Sequence, residues 1–223
     1  MIDLFEYLRG NEYPGRGIIA ASYEGKAVLA YFIMGRSENS RNRVFEMKGD
    51  ELYTRAFDES KVEDPSLIIY NCLRKVGNRT VLTNGNQTDT ICQFLEEGKD
   101  LEDALATREY EPDAPSYTPR ISALFDDDRY TLSILKRVNG ECAREFFDYQ
   151  MRDRVGHFIS TYAHDGDPLP SFKGRPLVFE LDLDIHEFAD HLWESLNKDN
   201  RISLYVRYFD DNSYEDVLIN KNS

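Results

Sequence analysis

Apolar residues recur along this chain in two periods, and the shorter period dominates its first half. Gly17 to Ser22 and Lys26 to Met34 are apolar runs separated by Glu24-Gly25, a pattern that predicts a β-hairpin. Arg43 to Met47 and Leu52 to Phe57 read as further strands, and Lys61 to Ser66 as a loop. Leu67, Ile68 and Ile69 read as a buried strand ending in Tyr70 and Asn71, with Val81-Leu82 as its hairpin partner across Gly77-Asn78. Ile121 to Phe125 and Tyr130 to Val138 make another hairpin around Asp126-Asp127-Asp128, and His157 to Tyr162 and Ile202 to Phe209 complete the strands.

Helical spacing marks the remaining apolar positions. Leu4, Phe5 and Leu8 predict a short helix closed by Gly10-Asn11, read as an appendage formed by residues 1–12. Ile91, Phe94 and Leu95 lie in a predicted helix from Thr88 to Glu97, with Asn86 placed to cap it, Asp89 at its third position and Gly98 to stop it. Asp100 caps a second helix carrying Leu101, Ala104 and Leu105, and Phe188, Leu192, Trp193 and Leu196 share one face of a helix from Asp184 to Asn197. Hairpin-connected strands with helices in separate groups predict an α+β architecture of antiparallel sheets covered by helices. With 223 residues and no Pro/Ser-rich or charge-block linker, residues 1–223 read as one domain.

Composition narrows the function. A net charge of -14 disfavours nucleic acid and anionic membranes as partners, while leaving a small phosphorylated ligand held by local arginines. Cys72, Cys92 and Cys142 are odd in number and lack CxxC spacing, which suits buried thiols in a reducing compartment. The start lacks a basic, apolar leader and no segment approaches the length of a membrane span, so a cytoplasmic protein is expected. Asp126-Asp127-Asp128 diverge on a tight turn, and His186 and His191 are five apart and off one helical face, so no metal site is expected.

Two stretches carry candidate chemistry. Gly35 to Arg43 holds Arg36, Arg41 and Arg43 among polar residues between two strands; it reads either as a solvated hairpin loop or as bidentate anion contacts. Asn84-Gly85 leads from a strand to a helix start, where free N–H groups and the helix dipole can hold an anion, or where the same residues merely make a turn.

Tyr13-Pro14-Gly15-Arg16, Tyr70-Asn71-Cys72-Leu73-Arg74, Asn84-Gly85, Thr88-Asp89-Thr90 and Tyr117-Thr118-Pro119-Arg120, in this order, resemble the archaeal-type IMP cyclohydrolase family. The resemblance runs roughly from Tyr13 to Phe125, with Ser160-Thr161-Tyr162 and Phe172-Lys173 as a weaker continuation. It implies a four-layer αββα sandwich of the N-terminal nucleophile hydrolase type. It also implies closure of 5-formamido-imidazole-4-carboxamide ribotide to inosine 5′-monophosphate, without cofactor. Relatives carry Arg-Ser followed by Asn-Arg at the positions of Arg36-Ser37 and Asn42-Arg43, and the longer loop here leaves Arg41 and Arg43 competing for one role.

On that basis Tyr70, Glu111 and Arg43 are the expected catalytic residues, and Arg16, Arg36, Asn71, Asn84, Gly85, Asp89, Thr90, Thr118 and Arg120 the expected contacts to a purine ribotide. Tyr70 is a candidate proton donor or oxyanion partner, and Glu111 a carboxylate working near the carboxamide. Each has a plainer reading: Tyr70 a core tyrosine, Glu111 a loop carboxylate, Arg120 the partner of a buried aspartate, Asp89 a helix cap. Some relatives have a histidine where this chain has Gln87, so that position is not an indispensable proton carrier. Homo-oligomerisation stays open. The competing classes are a non-catalytic purine-nucleotide-binding protein and an N-terminal nucleophile amidohydrolase, for which Met1-Ile2-Asp3 offers no nucleophile.

Overall fold

The computed structural model describes residues 1–62 and 69–222. In chain order its elements are α1 (Leu4–Arg9), β1 (Arg16–Tyr23), β2 (Lys26–Met34), α2 (Glu38–Arg41), β3 (Val44–Lys48), β4 (Glu51–Arg55), β5 (Tyr70–Val76) and β6 (Arg79–Thr83). Then come α3 (Gln87–Glu96), α4 (Leu101–Ala106), β7 (Arg120–Asp126), β8 (Arg129–Val138), β9 (Glu141–Gln150) and β10 (Val155–Ser160). The chain finishes with β11 (Leu177–Glu180), α5 (Ile185–Ser195), β12 (Arg201–Phe209) and β13 (Tyr214–Asn220).

The strands form two antiparallel sheets, one ordered β11-β10-β1-β2-β12-β13 and the other β3-β4-β5-β6-β7-β8-β9, which makes the fold α+β. Alternation along each strand sends side chains to opposite faces. Ile18, Tyr31, Ile33 and Tyr205 from the first sheet meet Phe45, Leu82, Ile121, Ala123 and Leu132 from the second in one apolar core. The intervening residues Ile19, Val28, Ala30 and Phe32 pack against Leu4, Leu8, Phe188 and Leu192 of α1 and α5. Val81, Leu124 and Leu135 similarly meet Ile91, Leu95 and Leu105 of α3 and α4. Central strands covered on both sides must be apolar at nearly every position, which is why β1 and β2 lack a polar/apolar alternation.

Local chemistry sets the helix ends. Asp184 accepts the N–H groups of His186 and Glu187 at 2.9 Å each, and Asp100 and Asp103 make a reciprocal capping box on α4. Leu4 and Leu8 of the expected appendage are buried against α5, each such burial contributing about 1.5–3 kcal/mol. No helix among the described residues is long and apolar enough to cross a membrane.

Three boundaries differ from expectation. The central strand begins at Tyr70, because β4 ends at Arg55 and the ladder opens with Tyr70 opposite Thr54; Ile69 is exposed, while Leu67, Ile68 and most of the expected 61–66 loop lie outside the described residues. Strand β4 stops before Phe57, which is exposed. Strand β10 stops at Ser160, since Tyr162 leaves the ladder to bridge Ser171.

Candidate active site

Pairing registers bring one set of strand ends together. Arg16, Met34 and Ser160 share one end of the first sheet, and Tyr70, Thr83 and Arg120 share one end of the second. Arg16 joins the two: its guanidinium donates to the Asn84 carbonyl at 2.9 Å and grips both carboxylate oxygens of Glu111 at 2.8 and 3.1 Å. Burial opposes the Arg16 charge, but Glu111 together with the Tyr70 and Tyr31 phenols holds the group well above the ordinary arginine range.

Beside this clamp opens a cavity of about 320 Å³ whose walls include Arg16, Arg36, Arg43, Glu111, Thr118 and Tyr162, with Tyr13, Ser37, Ser40 and Asp113 among the rest. Arg43 is 4% exposed. Its Nε–H donates to the Ser40 carbonyl at 2.7 Å and Nη2 to the Met34 carbonyl at 3.0 Å. Among the described residues no carboxylate pairs with it, so a buried guanidinium lines the cavity with donors to spare. Arg36 stands at the mouth, its guanidinium 4.9 Å from the Tyr13 ring centroid and paired with Asp165. Arg41 turns away to the Gly35 carbonyl and Asn200, which separates it from Arg43. A larger cavity, about 510 Å³, opens at the far end of the sheets, but Asp127, Asp128, Asp210 and Asp211 on its walls oppose an anionic ligand.

Tyr70 lies beneath this pocket and not on its wall. Its hydroxyl is 3.0 Å from that of Tyr31, and burial raises both phenols while Arg16 pulls each of them back. Tyr162, quoted in the sequence only as a weaker match, is on the wall together with Tyr13. It stacks on Tyr13 with centroids 6.0 Å apart and planes at 20°.

Several expected contacts point elsewhere. Asn71 follows Tyr70 on one strand, so it faces the opposite side of the sheet, donating to Glu51. Glu51 also receives Arg74, and Arg74 reaches Asp89, which is exposed on α3. Thr90 is likewise on α3, and neither it nor Asp89 lines the cavity. Asn84 spends its side chain internally: Oδ1 accepts the Ile121 and Gln87 groups at 2.8 and 3.0 Å, and Nδ2 donates to the Pro119 carbonyl. The start of α3 is filled by protein: Gln87 Oε1 accepts Arg120 at 2.8 Å, and Thr88 bonds Thr83 at 2.7 Å. Asn86 makes no side-chain cap, its oxygen being taken by Arg108.

A Cβ added at Gly85 would come within 2.5 Å of Arg120 Nη1 and 2.6 Å of Gln87 Oε1, so any side chain there would displace that pair. Arg120 bonds the Glu109 carbonyl and Gln87, with burial lowering its pKa. Asn84, Gly85, Gln87 and Arg120 therefore form the packed rear of the site, against which Arg16 and Glu111 are set. No group of three or more His, Cys, Asp or Glu suited to a metal occurs among the described residues.

The model of a family described as "IMP cyclohydrolase-like protein" matches residues 13–213. Among curated relatives, the IMP cyclohydrolase of Methanopyrus kandleri is 28% identical over 187 residues, covering 72% of this chain and 89% of that protein. That of Haloquadratum walsbyi is 29% identical over 188 residues, covering 82% and 84%. That of Methanococcus maripaludis is 34% identical over 150 residues, covering 60% and 72%. With the family matched over nearly the whole length that builds the pocket, this chain belongs to the IMP cyclohydrolase-like family.

Proposed function

We propose that this protein is an IMP cyclohydrolase, closing the formamido ribotide to inosine 5′-monophosphate with loss of water, in the pocket between the two sheets. The observation that carries the reading is Arg43: a buried, carboxylate-free guanidinium on a cavity wall, beside Arg16 and Arg36, in a member of this family. Anionic ligands repay the desolvation of such a group, and a ribotide phosphate matches its planar fork.

The reaction makes three demands. The phosphate must be anchored, the weakly nucleophilic carboxamide must be oriented and relieved of a proton, and the formyl oxygen must be stabilised as it gains charge. Arg43 and Arg36 answer the first. Arg16, fixed by Glu111 and the Asn84 carbonyl, presents a preorganised positive group that orients the carboxamide and stabilises the formyl oxygen. Glu111 acts by holding Arg16, since both its oxygens are engaged there. Tyr70, hydrogen-bonded to Tyr31, lies within the electrostatic reach of Arg16 and Arg43. The three apolar cores are consistent with a four-layer αββα arrangement of the N-terminal nucleophile hydrolase kind.

The decisive experiment incubates purified protein with the formamido ribotide and follows hypoxanthine absorbance. A rising trace that Arg16→Ala abolishes supports the reading. A flat trace from folded protein that still binds inosine monophosphate would leave a nucleotide-binding protein.

A further inference from the structure

The same pocket wall carries a row of hydroxyls that ends on a carboxylate. The Tyr162 oxygen is 2.6 Å from Thr118 Oγ1. Thr118 Oγ1 in turn donates to Asp113 Oδ2, and the Thr118 N–H donates to Asp113 Oδ1 at 2.7 Å. All three residues line the cavity. Thr118 is 1% exposed and Tyr162 5%, so both hydroxyls are shielded from bulk water. Asp113 differs from its neighbour Glu111 in having no guanidinium partner among the described residues.

Hydrogen counting gives the row a direction. A threonine hydroxyl has one proton. When that proton lies on the Asp113 carboxylate, Tyr162 must donate to Thr118, and its own lone pairs are left for the cavity. When Asp113 is protonated the row can reverse, and Tyr162 then offers its proton to the cavity. The charge on Asp113 thus decides whether the tyrosine accepts or donates.

Resting on the cyclohydrolase reading above, the geometry points to a two-hydroxyl proton relay in which Tyr162 meets the substrate and Asp113, reached through Thr118, is the terminal base. As the carboxamide nitrogen bonds to the formyl carbon, the C=O π pair moves onto the formyl oxygen. The nitrogen's proton passes to the Tyr162 oxygen, the Tyr162 proton to Thr118, and the Thr118 proton to Asp113. The row then runs backwards and returns one proton to the former formyl oxygen. That oxygen leaves as water, its second hydrogen coming from the formamido nitrogen, whose electron pair forms the new C=N bond.

The surrounding charges suit these roles. Burial raises the Asp113 carboxyl above the ordinary range and Glu111 adds to the rise, against the Thr118 hydrogen bonds and Arg16, which pull it down. Burial pushes the Tyr162 phenol up to about 12, with Arg16 and Thr118 opposing, so it keeps its proton at rest. Arg36 and Arg43 line the same cavity as the row.

The test compares wild type with Asp113→Asn, Tyr162→Phe, Thr118→Val and Thr118→Ser in the cyclisation assay. Asp113→Asn, Tyr162→Phe and Thr118→Val should each lower kcat about 10²–10³-fold with KM held within about threefold. Thr118→Ser, which keeps the oxygen, should recover most of the loss. The Asp113→Asn, Tyr162→Phe double variant should be no slower than the worse single one, because the groups act as a unit. Wild-type kcat should fall on the acid side, and that limb should vanish in Asp113→Asn. Losses that multiply in the double variant, an acid limb that survives, or full activity in Asp113→Asn would overturn the relay alone. A folded wild type that binds inosine monophosphate without cyclising would overturn the relay together with the function it rests on.

Discussion

Replacing Arg43 by alanine should separate ligand binding from folding. Of the five N–H groups of a guanidinium, one on Nε and one on Nη2 go to the Ser40 and Met34 carbonyls, leaving the remaining three for a ligand. A hydrogen bond to a charged group contributes about 1.5–3 kcal/mol, so a bidentate contact to phosphate is worth roughly 3–6 kcal/mol. At 1.4 kcal/mol per tenfold, Arg43→Ala weakens inosine monophosphate by about 10²–10⁴.

Thermal denaturation reads this directly. At 100 times Kd a ligand stabilises its protein by about 2.7 kcal/mol, and at this chain's length each kcal/mol moves Tm by roughly 2–4 °C. Wild type should therefore gain about 5–11 °C, and Arg43→Ala at the same ligand concentration less than about 2 °C. The ligand-induced shift is compared, because losing Arg43 also strips two carbonyls of their donor and lowers the starting Tm. Inosine, without the phosphate, should bind both proteins alike. An Arg43→Ala variant with an undiminished shift would refute the phosphate assignment.

Glu111→Gln should destabilise the fold by about 3–5 kcal/mol in urea unfolding, since it leaves the buried Arg16 charge uncompensated; a loss under about 1 kcal/mol would mean the pair is replaceable. Asp89→Ala should leave kcat/KM within about twofold, because Asp89 is exposed and tied to Arg74 outside the pocket; a large loss would return the start of α3 to the site. His157, buried under Tyr149 and accepting or donating at Nδ1 with Tyr130 at 2.6 Å, has its pKa pushed down to about 4 by burial and secondarily by Arg175. The unfolded chain takes up that proton near 6.5, so between these values it binds more protons and stability rises with pH. Acidification across this window should cost up to about 3 kcal/mol, and His157→Gln should flatten that dependence in chemical unfolding.

What the sequence revealed depended on burial. Strands β1, β2 and β12 are central or nearly so, hence apolar and legible. Strands β9, β11 and β13 carry no clear apolar pattern, and each is a sheet edge; β9 mixes Arg144, Glu145 and Asp148 among residues that are at most half-buried, so its apolar signal is diluted. The arginine-rich loop was legible because a buried guanidinium must be written as arginine. The Arg16–Glu111 pair was not, since its members are 95 residues apart and only the meeting of two sheets joins them. Tyr70 and Asn71 are successive residues of a strand, and a period of two forbids both from facing the same pocket. Tyr162 carried a signal in Ser160-Thr161-Tyr162, but nothing local told that it would come within reach of Thr118.

Every strand that supplies the pocket does so from the same end of its sheet, while Glu24-Gly25, Gly77-Asn78 and Asp126 to Asp128 close hairpins at the other. Selectivity is thereby uncoupled from strand register. The segment between β2 and β3 can lengthen, shorten or exchange side chains and so admit a differently shaped ribotide, with no ladder bond broken. Conversely, a fusion partner or a new chain break at Gly77-Asn78 would be carried about a strand's length from the chemistry.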